Sequence, residues 1–121
     1  MIQLNSNLKV IDNSGAKIAR CIKVLNNTQY ASTGDIIVVS IRKAIPDKKV
    51  KKGEVHKALI VYTKKNVKRL NGSYLKLGKN AVILLNPKSL PQATRITLGP
   101  VLKELRSRGF NKVLSIAKRI I

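Results

Sequence analysis

Acidic residues are scarce in this chain: five Asp and Glu stand against twenty-five Lys and Arg in 121 residues, a formal net charge of +20. Charge of one sign repels itself and opposes compaction, so the working state is expected to hold a polyanion, with nucleic acid the first candidate. Cysteine is reduced to Cys21 alone, which excludes an internal disulfide. No set of Cys and His has metal-ligand spacing either, so neither metal nor other cofactor is expected, and a reducing compartment is. Long apolar runs are missing as well. The longest, Asp35 to Ile41 and Ala58 to Val61, fall far below the ~20 residues of a membrane helix, so no membrane partner is expected. The start, Met1-Ile-Gln-Leu-Asn-Ser-Asn-Leu8, has neither a signal-peptide core nor an Arg-rich transit pattern, which points to a protein that stays where it is made or to a mature form. Aromatics are limited to three Tyr and one Phe, with no Trp. Proteins that bind single strands stack bases on exposed rings. Tyr62 and Tyr74 are candidates for that role, and cross-strand packing with a hydroxyl in water is the alternative.

What is present is a core. The chain is 44% hydrophobic, and its cations run from Lys9 to Arg119 interleaved with Ile, Val and Leu, unlike the charge blocks of a disordered tail. The length suits one domain, residues 1–121, folding without staples. The first two thirds are punctuated by Gly, Asn, Asp and Pro like a small all-β domain. Leu8 to Ile11, the Asp12-Asn13-Ser14-Gly15 turn and Ile18 to Leu25 predict a hairpin. Ile36 to Ala44 follows, with Ile37, Val39 and Ile41 on one face and Ser40 and Arg42 on the other; it stops at Pro46. Val55 to Thr63 is the next strand. Asn71-Gly72 signals a type I′ turn between Lys68 to Leu70 and Tyr74 to Leu77, and Ala81 to Leu85 ends the set. Strands of this spacing suggest a barrel or sandwich. Two short helices are predicted beyond them: one begins near Pro100, buries Leu102 and Leu105, turns Lys103 and Arg106 outward and stops at Gly109, and a second runs from Val113 to Ile120 with Ile116 and Ile120 paired at i, i+4.

The basic segments carry the chemistry. Pro46 to Gly53 places Lys48, Lys49, Lys51 and Lys52 around Val50 in a connection between strands. Flexible ammonium groups there neutralise phosphates without reading bases, while the alternative is a solvated loop. Lys64, Lys65, Lys68 and Arg69 form a second cluster, and Arg106, Arg108, Lys112, Lys118 and Arg119 a third. Clusters on separate elements favour recognition of structured RNA by shape and phosphate. Catalysis finds no support, because Cys21 and His56 have no base, orienter or metal beside them in the sequence pattern. Asp12 and Asp35 sit in turns, where Asp is favoured by local hydrogen bonds, and Glu104 offsets Arg106 and Arg108.

These residues also fall into collinear motifs: Val10 to Lys17, Cys21 to Leu25, Gly34 to Ile37, Lys43 to Pro46, Lys49 to Gly53, Lys57 to Val61 with Thr63 to Lys65, Asn80 with Leu84 to Asn86, Thr94 to Ile96, Gly99 to Val101 and Glu104 to Arg106. In that order, over nearly the whole chain, they resemble the large-subunit ribosomal protein uL14 (L14) family. The resemblance implies a mainly β fold, a five-stranded OB-like β-barrel with a protruding β-ribbon and short C-terminal helices. It implies a non-enzymatic structural component of the large subunit that binds large-subunit rRNA, adjoins the ribosomal proteins uL19 and uL3, and contributes to intersubunit bridges with small-subunit rRNA; no homo-oligomer is expected. By residue, it assigns rRNA contact to Asn13, Ser14, Lys17, Lys49, Lys51, Lys52, Lys64 and Lys65. Lys43, Lys48, Lys68, Arg69, Arg106 and Arg108 join them on charge and position. Ala44, Ile45 and Pro46 with the C-terminal basic surface, Lys118 and Arg119 included, are bridge candidates. Thr94, Arg95 and Lys112 match the docking site of a ribosome silencing factor.

The chain departs from the family pattern in places. Leu77 replaces an aromatic residue and Ile83 replaces Val, both conservative core exchanges. Tyr62 stands where Arg is typical, Ile96 to Gly99 is one residue longer, and Lys118-Arg119 replaces a Pro-acid pair, which adds positive charge near the subunit interface. Lys used over Arg, with many Ile and Asn, suggests an A+T-rich, organelle-encoding genome. A mitochondrial ribosome is expected first, with a chloroplast or bacterial one as the alternatives. The competing function is a free OB-like nucleic-acid-binding module or RNA chaperone.

Overall fold

Alternation of apolar and polar residues builds a closed barrel. Among the described residues the strands are β1 (Asn7–Val10), β2 (Ala16–Val24), β3 (Ile36–Ala44), β4 (Val55–Tyr62), β5 (Val67–Lys68), β6 (Tyr74–Leu75) and β7 (Ala81–Leu85), followed by the helix α1 (Asn111–Ile116). The computed structural model describes residues 2–25, 29–46, 48, 50–64, 67–68, 74–75, 79–87, 90–92, 95–96, 100–102, 105, 109–117 and 120, with backbone only at 67–68 and 74–75. Around the barrel the order is β1-β2-β3-β4-β7. Neighbours are antiparallel until β7 meets β1 in parallel, Lys9 opposite Ala81 and Val10 opposite Val82, which closes the ring. The first predicted hairpin is the β1–β2 pair. Paired strands also occupy the second predicted hairpin, Val67 opposite Leu75 and Lys68 opposite Tyr74; its Asn71-Gly72 turn lies outside the described residues.

Two buried clusters share the strands. Leu8, Val10, Ala19, Cys21, Ile37, Val39, Ile41, Ala58, Ile60, Val82 and Leu84 fill the barrel, with Ile2, Ala31 and Val50 packed among them. The other faces of β4 and β7, Leu59, Val61, Tyr62, Ile83 and Leu85, pack against Ile96, Val101, Leu102, Leu105, Val113 and Leu114 of the C-terminal segment. Each fully buried side chain of this size contributes about 1.5–3 kcal/mol, so the C-terminal segment is a structural wall of the fold. Tyr62 belongs to it, only 4% exposed; packing, the alternative to a stacking platform, is its role, and burial pushes its hydroxyl above the ordinary value.

Most of the first predicted helix, residues 103, 104 and 106–108, lies outside the described residues. Leu102 and Leu105 are buried as expected, but Val101 forms a bridge with Ile120 and Leu105 sits in a 3₁₀ turn. Gly109 is the stop: its φ is +90°, and Phe110 N–H reaches back to the Leu105 carbonyl at 3.1 Å, the long-range bond of a Schellman cap. The second predicted helix is α1, which runs from Asn111 to Ile116 and ends at Ala117, where the chain turns extended (ψ 136°). The expected helical pairing of Ile116 with Ile120 is therefore overturned. Ala117 pairs in parallel with Ile96, and Ile120 with Val101; tertiary strand-like pairing wins over local helical spacing.

In its described part the β3–β4 connection is tied back to the barrel at Val50 and Gly53. Those residues form turns, Val50 is 1% exposed within the barrel cluster, and Gly53 N–H bonds the Ile41 carbonyl at 2.8 Å. An apolar residue flanked by lysines anchors this connection to the barrel.

Candidate nucleic-acid interface

One end of the barrel is organised by the Asp12 to Gly15 turn. Asp12 is buried and its carboxylate accepts three hydrogen bonds: Oδ1 from the Ser14 N–H (3.2 Å) and hydroxyl (2.6 Å), Oδ2 from the Leu84 N–H (3.0 Å). It thus ties the β1–β2 turn to β7, so its role reaches beyond the local turn read from sequence. Ser14 is 7% exposed, with its hydroxyl engaged by Asp12; its place is under the turn, holding it. Gly15 has φ +105°, and a Cβ there would collide with Cβ of Lys48. Only glycine lets the lysine-bearing β3–β4 connection lie this close. The Gly15 carbonyl accepts the Ile45 N–H at 2.7 Å, and Ala16 lies opposite Ala44.

On the other side of the turn, Asn13 and Arg95 are stitched together. Asn13 N–H donates to the Arg95 carbonyl at 3.1 Å, and Arg95 N–H to Asn13 Oδ1 at 3.3 Å. The sequence candidates Asn13, Ala44, Ile45, Lys48 and Arg95 thus converge here, and Asn13, Ile45, Pro46, Lys48 and Arg95 are exposed. Lys43, opposite Ile18, and Lys17 are exposed on the adjoining strands. Lys112, exposed on α1, connects more indirectly: the Ile116 carbonyl at the end of that helix accepts the Ile96 N–H at 3.1 Å. Lys51 and Lys52 are exposed in the turns beyond Val50. Lys49, Lys65, Arg69, Thr94, Arg106, Arg108, Lys118 and Arg119 lie outside the described residues, and of Lys68 only the backbone is described.

A second basic surface crosses β1. A groove of about 510 Å³ is lined by Asn7, Leu8, Lys9, Lys17, Ile18, Lys64, Lys79 and Asn80. Lys17 and Lys64 are candidates from sequence, whereas Lys9, Lys79 and the part played by Asn80 emerge only from the fold. Lys9 was legible as an outward position, since β1 alternates exposed and buried. That it meets Lys79 depends on the parallel β1–β7 closure, for which one strand offers no signal.

The two groups considered for catalysis have structural surroundings. Cys21 is fully buried, and burial pushes its thiol above the ordinary value, with a smaller opposing effect from the Lys23 backbone. Gln92 Nε2 lies 3.0 Å from His56 Nδ1 and donates to the Leu85 carbonyl at 2.8 Å; His56 Nε2 is 3.4 Å from Glu54 Oε2. The amide's donation makes Nδ1 the acceptor and leaves the ring proton on the side of Glu54. Among the described residues, no three His, Cys, Asp or Glu are grouped to hold a metal ion, and no helix is long and apolar enough to cross a membrane.

The family model described as ribosomal protein L14p/L23e matches residues 1–121. The match covers the whole length over which the collinear motifs run, and this chain belongs to the ribosomal protein L14p/L23e family.

Proposed function

We propose that this structural protein of the large ribosomal subunit binds large-subunit rRNA through phosphate and shape contacts and helps to bridge the subunits. What carries the reading is the convergence of Asn13, Lys17, Lys43, Lys48 and Arg95 about one rigid turn, with the neighbouring acid, Asp12, buried and used internally. A preformed cationic surface binds a folded polyanion without the cost of ordering a loop first. The whole chain, 1–121, acts as one rRNA-binding unit, an OB-like barrel whose 46–53 connection works as the ribbon. Ser14 acts by fixing the turn. Lys49, Lys51, Lys52, Lys64, Lys65, Lys68, Arg69, Arg106 and Arg108 extend the rRNA contact.

Ala44, Ile45, Pro46, Lys118 and Arg119 face small-subunit rRNA in this proposal, uL19 and uL3 are the protein neighbours, and Thr94, Arg95 and Lys112 receive a ribosome silencing factor. The ribosome is mitochondrial in this reading, on the codon-bias argument, with chloroplast or bacterial origin as the alternatives. Sucrose-gradient sedimentation at low and moderately high salt, with mass spectrometry of this chain across the fractions, tests the assignment. Co-migration with the large subunit and monosome at both salts is expected. Recovery on heterogeneous RNA released by modest salt, as simple counterion release requires, would instead identify a free binding module.

A further inference from the structure

The groove across β1 combines two features that a bare phosphate site does not need. Its rim carries Lys9, Lys17, Lys64 and Lys79, all exposed, and among the described residues that line it none is acidic. Its floor is apolar: Ile18, which lies opposite Lys9 and is half-buried, the strand around Leu8, and the aliphatic stems that lysines lay along such surfaces. Asn80 holds the two sides in place. Its backbone carbonyl accepts the Lys9 N–H at 3.0 Å, and its side-chain Oδ1 accepts the Lys64 N–H at 2.8 Å. With Oδ1 engaged, the group Asn80 can offer a ligand is its amide NH₂, a hydrogen-bond donor.

Lysines on a rim over an apolar floor, with an amide donor at one wall, match an unpaired nucleotide. The phosphates meet the ammonium groups, the base lies on the floor, and a ring nitrogen or carbonyl of the base accepts from the amide. The groove volume of about 510 Å³ lies within the range of small-ligand sites, roughly 300–1,000 Å³. We propose that this groove receives one unstacked nucleotide of the bound RNA, so that the protein takes up a base on an aliphatic floor without an aromatic platform. The proposal rests on the rRNA-binding reading and adds to it a base-accepting subsite at residues outside the Asn13 turn.

The test uses the full chain, isotopically labelled, titrated by NMR with a short single-stranded RNA and with an oligomer of the same length and phosphate count lacking its bases. The base-bearing RNA is expected to bind about tenfold more tightly, the low end of what a base stacked on an aromatic ring contributes, and to shift the amides of Lys9, Ile18 and Asn80. Ile18→Ser should remove that preference while keeping the salt dependence, and Asn80→Asp, which puts a carboxylate where the donor was, should remove it too while weakening the binding of both oligomers. Equal affinity for the two oligomers, with equal shifts in the groove, would overturn the base subsite and leave phosphate-driven rRNA binding standing. Failure to bind either oligomer or a large-subunit rRNA fragment would overturn the rRNA reading and the subsite with it. Since Ile18 lies on the outer face of β2, far-UV circular dichroism of Ile18→Ser separates loss of base preference from loss of fold.

Discussion

β2 and β3 bury one face and expose the other, whereas β4 beyond Lys57 and all of β7 are buried on both. In β3, Ile37, Val39 and Ile41 are buried, the alternate Ile36, Val38 and Ser40 are half-buried, and Arg42 and Lys43 are left in solvent. Ala58 to Tyr62 and Ala81 to Leu85 are buried without interruption, because alternate residues enter the barrel and the rest are covered by the C-terminal segment. A continuous apolar strand requires a cover, and a barrel of this size supplies only one side of it. The difference separates the molecule's tasks: the alternating half presents cations to a polyanion, and the doubly buried half commits its outer face to stability.

The largest expected effect comes from breaking the covered half. Leu102→Ala, at a fully buried position in the outer cluster, should cost about 2–5 kcal/mol. Ile22→Ala, at a position 41% exposed on β2, should stay within about 0.5 kcal/mol. Denaturant unfolding of both variants measures the gap. Similar costs would mean that the C-terminal segment rests loosely on the barrel and that β4 and β7 are stabilised from inside alone.

How much of this could be read from sequence follows the same division. Apolar runs punctuated by Gly, Asn, Asp and Pro locate β1 to β4 and β7 within a few residues, and period 2 makes the faces of β3 legible, since each strand's pattern is local. The uninterrupted Ala81 to Leu85 marked a strand, but its covering partner was not legible. The C-terminal residues that provide the cover have helical spacing, and Ala117 and Ile120 leave the helix to pair with Ile96 and Val101, contacts decided by distant residues. At the candidate interface, the Asn13 turn and its lysines were readable from turn chemistry and charge. The groove was not, because Lys9, Lys64 and Lys79 meet only through barrel closure and the two bonds to Asn80.

The next effects test the turn that links the two halves. Asp12→Ala would leave the Leu84 N–H of β7 without its acceptor and should cost about 2–3 kcal/mol. Asp35→Ala should cost less, since the Ser32 N–H and hydroxyl that donate to Asp35 (2.8 and 3.3 Å) are exposed and regain water when it is removed. Equal thermal shifts for the two would remove Asp12 as the tie between β1 and β7. Two glycines sharpen the point further. Gly15→Ala meets both a left-handed φ and the Lys48 side chain, whereas Gly53→Ala at φ +90° meets nothing within 4 Å. Backbone strain alone costs about 1–2 kcal/mol, so Gly53→Ala should show that much and Gly15→Ala more, together with weaker RNA binding as Lys48 is displaced. If Gly15→Ala binds RNA normally, the approach of Lys48 to the turn has no part in recognition.

The smallest effect concerns two buried acids, one in each half. Cys21 in β2 and Tyr62 in β4 both have ionisations raised by burial, from ordinary values of 9.0 and 10.0. In each case the folded state holds the proton more tightly than the unfolded state does. The resulting stability is fully present below the ordinary value and declines as pH rises above it, because the unfolded chain is then the form that ionises. Cys21 should begin this decline first. Melting temperature followed from about pH 8 to 10, the span in which an ordinary thiol ionises, should fall in the wild type and be flatter in Cys21→Val, which keeps the barrel filled with a side chain of similar size. Lysine titration is common to both proteins and cancels in the difference. Parallel curves would mean that the interior of the alternating half admits enough water to solvate a thiolate, and the contrast between its open outer face and its closed interior would be weaker than the burial of Cys21 implies.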